Sequence, residues 1–226
     1  MVLVLSESEK SKFTAAKLAA AYIKSGMKVG LGTGSTAEWL VRHLGTMVVE
    51  EGLDIVAVPT SFRTAELAIS LGIKTITLEE AIWLDLTIDG TDEFDKNFNL
   101  IKGGGGAHTN EKRLAKIADH FICIVDESKI VQTLGNFPLP IEIDLHQSDQ
   151  ALSELRKYSK NISQRESLSD NRNFLYDLHD LKILEPLKIE NQILMINGVV
   201  DVGIFAIDRP QTVIIGKDSS YKLMES

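Results

Sequence analysis

The chain carries a single cysteine, Cys123, among its 226 residues. One thiol excludes a disulfide framework and a four-thiolate zinc site, and it points to a reducing compartment, most simply the cytoplasm. Basic charge is also short: 24 Lys and Arg stand against 32 Asp and Glu, a formal net charge of −8. No nucleic-acid partner is expected, because binding a phosphate backbone needs a basic stripe that releases counterions. Long apolar runs are missing too. The N-terminal run Val2–Leu5 is far too short for a signal sequence or a membrane span, which needs about 20 residues. What remains is ordinary for a globular protein: 44% hydrophobic and 25% charged residues, with enough chain for one large or two modest cores. A small anionic ligand stays compatible with the acidic balance, since local donors decide such binding.

Ser6 followed by Glu9 reads as a capping box. Phe13, Ala16, Ala20 and Ile23 then recur at helical spacing until Gly26. A short strand, Lys28–Leu31, runs into a Gly/Ser/Thr loop and a helix around Ala37–Leu44. The rhythm repeats with strand Ile55–Val58, helix Arg63–Leu71 closed by Gly72, and strands Lys74–Thr77 and Leu84–Ile88. Helix Glu111–Ala118 and strand Phe121–Val125 complete the series. Such alternation predicts a three-layer, mostly parallel, Rossmann-like α/β domain. The character changes near Pro138 and Pro140. Ile141, Ile143 and Leu145 alternate as a half-exposed strand, followed by helix Leu152–Tyr158 and strands Gln164–Leu168 and Phe174–Leu178. Pro186 opens a helix through Ile196, and Val199–Ala206 reads as a last strand. This β-α-β-β-α-β order fits a small ferredoxin-like α+β domain. The expected division is therefore residues 1–134 with a return at 209–226, in which Thr212–Ile215 rejoins the first sheet, and residues 135–208.

Three motifs carry chemistry. Gly32-Thr33-Gly34-Ser35-Thr36-Ala37 lies between a strand and a helix, where exposed N–H groups and three hydroxyls make an anion cradle. The string also satisfies the loose G-x-G-x-x-A dinucleotide pattern. The second strand ends Val58-Pro59-Thr60-Ser61, however, with no acid to hold a ribose, and Asp54 stands at its opposite end. A tight turn with ordinary hydroxyl capping accounts for the same residues. No G-x-x-x-x-G-K-[ST] string occurs. Asp89-Gly90-Thr91-Asp92-Glu93-Phe94-Asp95 follows an apolar strand, at the end where open parallel sheets bind ligands. As a calcium loop it fails, with Phe94 at the position that needs glycine. As a plain turn it is acceptable, since Asp and Gly favour turns.

The third motif, Lys102-Gly103-Gly104-Gly105-Gly106-Ala107, begins thirteen residues past Asp89. Four consecutive glycines are entropically costly, and their use is close approach of backbone to a ligand. Thr109 or Asn110 would cap the next helix and set Glu111 in its first turn, although a carboxylate there also suits the helix dipole. Taken together, two acids (Asp89, Asp92), an ammonium (Lys102) and a separate carboxylate (Glu111) suit proton transfer beside a polarised carbonyl. A carboxylate removes a carbon-bound proton while a cation and N–H donors stabilise the enediolate oxygen. No redox cofactor and no metal is required for this.

In order and spacing, these three strings with Glu111-Lys112, Phe121-Ile122-Cys123-Ile124, Gly135-Asn136-Phe137-Pro138-Leu139-Pro140 and Val199–Phe205 resemble ribose-5-phosphate isomerase, type A, over essentially the whole chain. The resemblance implies cofactor-free interconversion of D-ribose 5-phosphate and D-ribulose 5-phosphate in the non-oxidative pentose phosphate pathway. It implies Glu111 as the base, Asp89 assisting ring opening, and Asp92 and Lys102 orienting and polarising substrate oxygens. Thr33, Gly34, Ser35, Thr36, Gly90, Thr91 and the backbone of Gly103, Gly104 and Gly105 would hold the phosphate end and sugar oxygens, helped by Lys129 and Lys12. It also implies a homodimer or a dimer of dimers.

Three positions depart from the family pattern. Thr91 replaces alanine, and His108 replaces leucine as an expected solvated loop histidine, whose imidazolium would lower the base's pKa. Arg172 replaces a turn glycine, which puts the turn type in question. Two rival readings are a silent sugar-phosphate sensor domain and another aldose–ketose or amino-sugar enzyme. The stretch before Gly32 is too short for the helix-turn-helix that a sensor would carry, and a sensor has no use for Glu111 with Lys102.

Overall fold

The computed structural model describes residues 5–218 and 220–226, so Val2, Leu3 and Val4 of the N-terminal apolar run lie outside the described residues. The chain begins α1 (Glu7–Ala20), β1 (Lys28–Leu31), α2 (Ser35–Glu50), β2 (Val56–Pro59), α3 (Phe62–Ser70), β3 (Lys74–Thr75) and β4 (Leu86–Asp89). It continues β5 (Glu93–Phe94), β6 (Leu100–Ile101), α4 (His108–Ile117), β7 (Phe121–Asp126), β8 (Leu139–Ile143), α5 (Ser148–Leu155) and β9 (Ile162–Gln164). Last come β10 (Phe174–Leu178), α6 (Pro186–Leu194), β11 (Val199–Val202), β12 (Ile204–Phe205), β13 (Thr212–Gly216) and β14 (Tyr221–Glu225). By packing, the chain forms two compact units. One holds the residues up to Gly90, Arg113–Lys129 and those from Pro210 on; the other holds Thr91–Lys112 and Ile130–Arg209.

The first unit is built on a seven-stranded sheet in the order β14-β13-β7-β4-β1-β2-β3, parallel except for β14 at its edge. Strands β4 and β7 are buried at every position, as parallel strands covered on both faces must be. Adjacent residues divide between the faces. Ala57 joins Val29, Leu31, Ile88 and Ile122 under α1–α3, whereas Val58 packs with Leu84 and with Leu114 of α4. That is the three-layer arrangement expected. Ser6 caps α1 by accepting from the Glu9 N–H at 3.2 Å. The return bond of a capping box is missing, because the Glu9 carboxylate takes the Lys12 ammonium (2.8 Å) and the Trp39 indole N–H (2.7 Å) instead. The four buried alanines of α1 let it lie close to β13, and a side chain at Gly216 would run into the Ser11 backbone. β14 is an additional hairpin partner that the sequence pattern did not announce.

In the second unit β8, α5, β9, β10, α6 and β11 make a four-stranded antiparallel sheet in the order β11-β8-β10-β9, the ferredoxin-like arrangement. Three local expectations are corrected. β8 is buried at all five positions rather than half-exposed, because it lies centrally between β11 and β10. The strand expected at Gln164–Leu168 is instead Ile162–Gln164, and Leu168 is exposed in the following loop. The strand expected at Val199–Ala206 is broken at Gly203, whose missing Cβ lets the Lys102 carbonyl and Pro140 approach. Beyond the break β12 joins β6 and β5 in a three-stranded sheet. Arg172 takes φ 63°, so the arginine itself supplies the left-handed turn conformation, and its N–H closes the turn onto the Ser169 carbonyl at 2.8 Å.

Candidate active site

In the first unit, β1 and β4 are parallel neighbours, and their carboxyl ends lead into the first two motifs. Gly32 is required there: a Cβ would overlap the Asp89 carboxylate. Asp89 is 3% exposed, and its Oδ1 accepts the Gly90 N–H at 2.7 Å. Gly34 (φ 120°) is the N-cap of α2, leaving Ser35 exposed and Thr36 half-buried at the helix start. Thr36 also lies beside Gly90, where an added Cβ would meet it at 3.8 Å. Thr33 behaves differently. Its hydroxyl turns into a cluster with Thr60 (2.7 Å), Ser61 (2.7 Å) and Thr64 (3.2 Å), and Thr64 in turn donates to the Gly32 carbonyl. These hydroxyls of the β2–α3 turn shape the loop from outside. Only the Thr-Ser pair after Pro59 hinted at them in the sequence. Lys129 closes a 3-10 turn just after β7, while the Lys12 ammonium is held by Glu9.

The second unit holds the other acids and the ammonium. Lys102 follows β6, Glu111 stands in the first turn of α4, and Lys102 Nζ lies 3.2 Å from Glu111 Oε2 with both side chains nearly inaccessible (2% and 3%). Phe205 of β12 faces the Lys102 ammonium at 5.6 Å from its ring centroid, which excludes water on that side. Asp92 is half-buried and accepts the Gly104 N–H at 2.8 Å. The Thr91 hydroxyl donates to the carbonyls of Glu93 (2.8 Å) and Ile101 (2.6 Å), so the threonine stiffens the acidic turn. Glu93 spans the base of the same turn, its oxygens accepting from Gly135 N (2.7 Å) and Phe137 N (2.6 Å). Gly104 and Gly105 are exposed, so the backbone of the cradle is open to a ligand.

Helix α4 begins at His108, three residues before the expected start, so Thr109 and Asn110 are helical rather than caps. The Thr109 hydroxyl instead donates to the fully buried Glu142 carboxylate at 2.6 Å, which Ser169, Asn171 and Asn173 also reach. Lys112, 1% exposed, donates hydrogen bonds to Glu190 (2.8 Å), Asp201 (2.9 Å) and the Val202 carbonyl (2.7 Å). Glu111 thus sits between two buried anchors. His108 corrects the sequence reading most sharply, because it is fully buried rather than solvated. It packs against Gly103, where a Cβ would come 2.7 Å from its Nδ1, and neither ring nitrogen meets a partner at hydrogen-bonding geometry. Burial first, and the Lys112 and Arg165 charges after it, push its pKa down to about 4 against the pull of Glu142 and the Asp201 carbonyl. At neutral pH it is an uncharged imidazole and supplies no positive field to a base.

Known proteins resemble this chain in sequence and in fold. A family profile for ribose 5-phosphate isomerase A matches residues 56–220. The ribose-5-phosphate isomerase A of a Ruegeria species is 51% identical over 224 residues, covering 94% of this chain and 85% of that protein. The corresponding Dinoroseobacter shibae protein is 44% identical over 234 residues, covering 98% and 90%. Among solved structures, ribose 5 phosphate isomerase A from Neisseria gonorrhoeae superposes with a TM-score of 0.90 at 35% identity, covering 97% of each chain. A D-ribose-5-phosphate isomerase in complex with phospho-erythronic acid gives 0.91 at 36% identity, covering 98% of this chain and 100% of that one. On sequence and on fold alike, the chain belongs to the ribose 5-phosphate isomerase A family.

Proposed function

We propose that the chain is an aldose–ketose isomerase that interconverts D-ribose 5-phosphate and D-ribulose 5-phosphate through an enediolate. The observation that carries this reading is the buried Lys102–Glu111 pair beside an exposed glycine cradle, in a family whose members bear that activity in their names. Asp89 assists opening of the sugar ring to the free aldehyde. Glu111 takes the C2 hydrogen as a proton. The C–H electron pair forms the C1–C2 double bond, and the former carbonyl pair settles on O1, where Lys102 stabilises it. The O2 proton then passes to O1, C2=O forms from the O2–H pair, and the C1–C2 double-bond pair takes the proton back from Glu111 at C1. No step calls on a metal or a redox group.

Asp92 and the glycine N–H groups orient sugar oxygens, and the Ser35–Thr36 turn, with Lys129 and Lys12, takes the phosphate. The complex named for one solved relative, with a phosphorylated sugar acid, supports this ligand class. No described helix is long and apolar enough to cross a membrane. A cytoplasmic homodimer or dimer of dimers in the non-oxidative pentose phosphate pathway completes the proposal. The test is direct: the purified chain incubated with ribose 5-phosphate forms ribulose 5-phosphate at a rate that EDTA leaves intact. A chain inert towards ribose 5-phosphate overturns the reading.

A further inference from the structure

Arg165 follows β9 and faces the four-glycine run from the small sheet. Its guanidinium is fixed by a fork: Nε donates to Asp177 Oδ2 at 2.8 Å and Nη2 to Asp177 Oδ1 at 2.7 Å. Its own N–H is tied to the Leu175 carbonyl at 2.9 Å. The remaining nitrogen, Nη1, donates to the carbonyls of both Gly103 (2.9 Å) and Gly104 (3.2 Å). Gly103 also accepts the Gly106 N–H at 2.9 Å, which closes the run into a turn. No peptide here is cis, and a planar trans peptide points its C=O and its N–H in opposite directions. With the Gly103 carbonyl drawn to Arg165, the Gly104 N–H must face away, and it meets Asp92 Oδ2 at 2.8 Å. With the Gly104 carbonyl drawn the same way, the Gly105 N–H is turned from Arg165 as well.

Glycine has no side chain to enforce any of this, and each of these residues is free to take conformations closed to others. A rigid, bidentate cation is the kind of group that can hold two carbonyls at once, and lysine lacks the fork. We infer that Arg165, locked by Asp177, is a positioning residue that sets the direction of the glycine N–H donors and keeps Asp92 oriented beside them. Its consequence for turnover rests on the isomerase reading above. The consequence for the loop does not. The Arg165–Asp177 pair is only partly exposed (18% and 17%), yet neither residue is among the buried apolar cores, so its removal is compatible with folding.

The test compares Arg165→Ala and Arg165→Lys with wild type by kcat, KM, melting temperature and the solvent-exchange rate of the Gly104 amide by NMR. Arg165→Ala is expected to exchange Gly104 about tenfold faster or more, as a lost local constraint does. Its kcat should fall roughly 10- to 100-fold, the usual effect of a misplaced site, with a smaller change in KM. Arg165→Lys should recover part of the kcat. An Arg165→Ala enzyme whose kcat or Gly104 exchange stays within about twofold of wild type overturns the inference, even if its melting temperature drops. If Arg165→Ala does not fold, the same two readouts on Arg165→Lys decide, with a smaller change in the same direction expected. If wild type does not isomerise ribose 5-phosphate, the isomerase reading fails and the Gly104 exchange rate alone decides this one.

Discussion

Lys102 and Glu111, 3.2 Å apart and almost sealed from water, form a pair that stability does not explain. At an effective dielectric of about 20 their attraction is about 5 kcal/mol, while withdrawing each ion from water costs several kcal/mol. The two nearly cancel, so the pair adds little to folding and is better read as chemistry kept in place. The spacing of acids, lysine and glycines was legible in the sequence because each lies beside a strand end or helix start. Thr60, Ser61, Thr64 and Arg165 were not, since their partners lie far away along the chain, between 27 and 62 residues. Thr33 belongs to the loop that the family resemblance assigns to the phosphate end and sugar oxygens, and its hydroxyl bonds into that distant cluster. Ser35 is exposed and Thr36 half-buried, and the proposed function has these two meet the phosphate. Replacing either by alanine should raise KM several-fold, as the loss of one hydrogen bond of about 1 kcal/mol predicts, with kcat little changed. Steady-state kinetics on both variants checks this, and a loss confined to kcat would remove the phosphate from that turn.

At the scale of elements, periodicity placed every strand of the parallel sheet except β14, because hydrophobic alternation and glycine stops are local. What it missed was set by neighbours. β8 reads as half-exposed until β11 and β10 flank it, and α4 starts early because Thr109 and Lys112 are claimed by buried carboxylates of other elements. His108, at the head of α4, gives this anchoring a pH signature. Its folded pKa of about 4 lies below its ordinary 6.5. The unfolded chain therefore binds the proton first as pH falls. The stability due to neutral His108 is complete above pH 6.5 and is lost on acidification toward pH 4, a difference of order 3 kcal/mol. Leucine is apolar and close in size. Melting curves between pH 7 and pH 4 should fall less steeply for His108→Leu than for wild type. Equal slopes would show that the imidazole is not held neutral.

For the whole molecule, the sequence signalled two kinds of sheet in one chain, with Thr212–Ile215 expected to return to the first sheet. That return is present and parallel, residue for residue from Thr212 beside Ile122 to Gly216 beside Asp126. The proposed assembly is tested by light scattering on the purified chain. A mass of two or four times the 25.0 kDa chain is expected, and a monomer would remove the assembly from the proposal. Catalysis in this reading turns on Glu111 as the base that moves hydrogen between two carbons, and turnover of the Glu111→Gln enzyme tests that most directly. A carboxamide at this position cannot accept the proton, so kcat for ribose 5-phosphate should fall roughly 10²- to 10⁴-fold in a variant that melts like wild type. A near-normal kcat in that variant would contradict the assignment and the mechanism built on it.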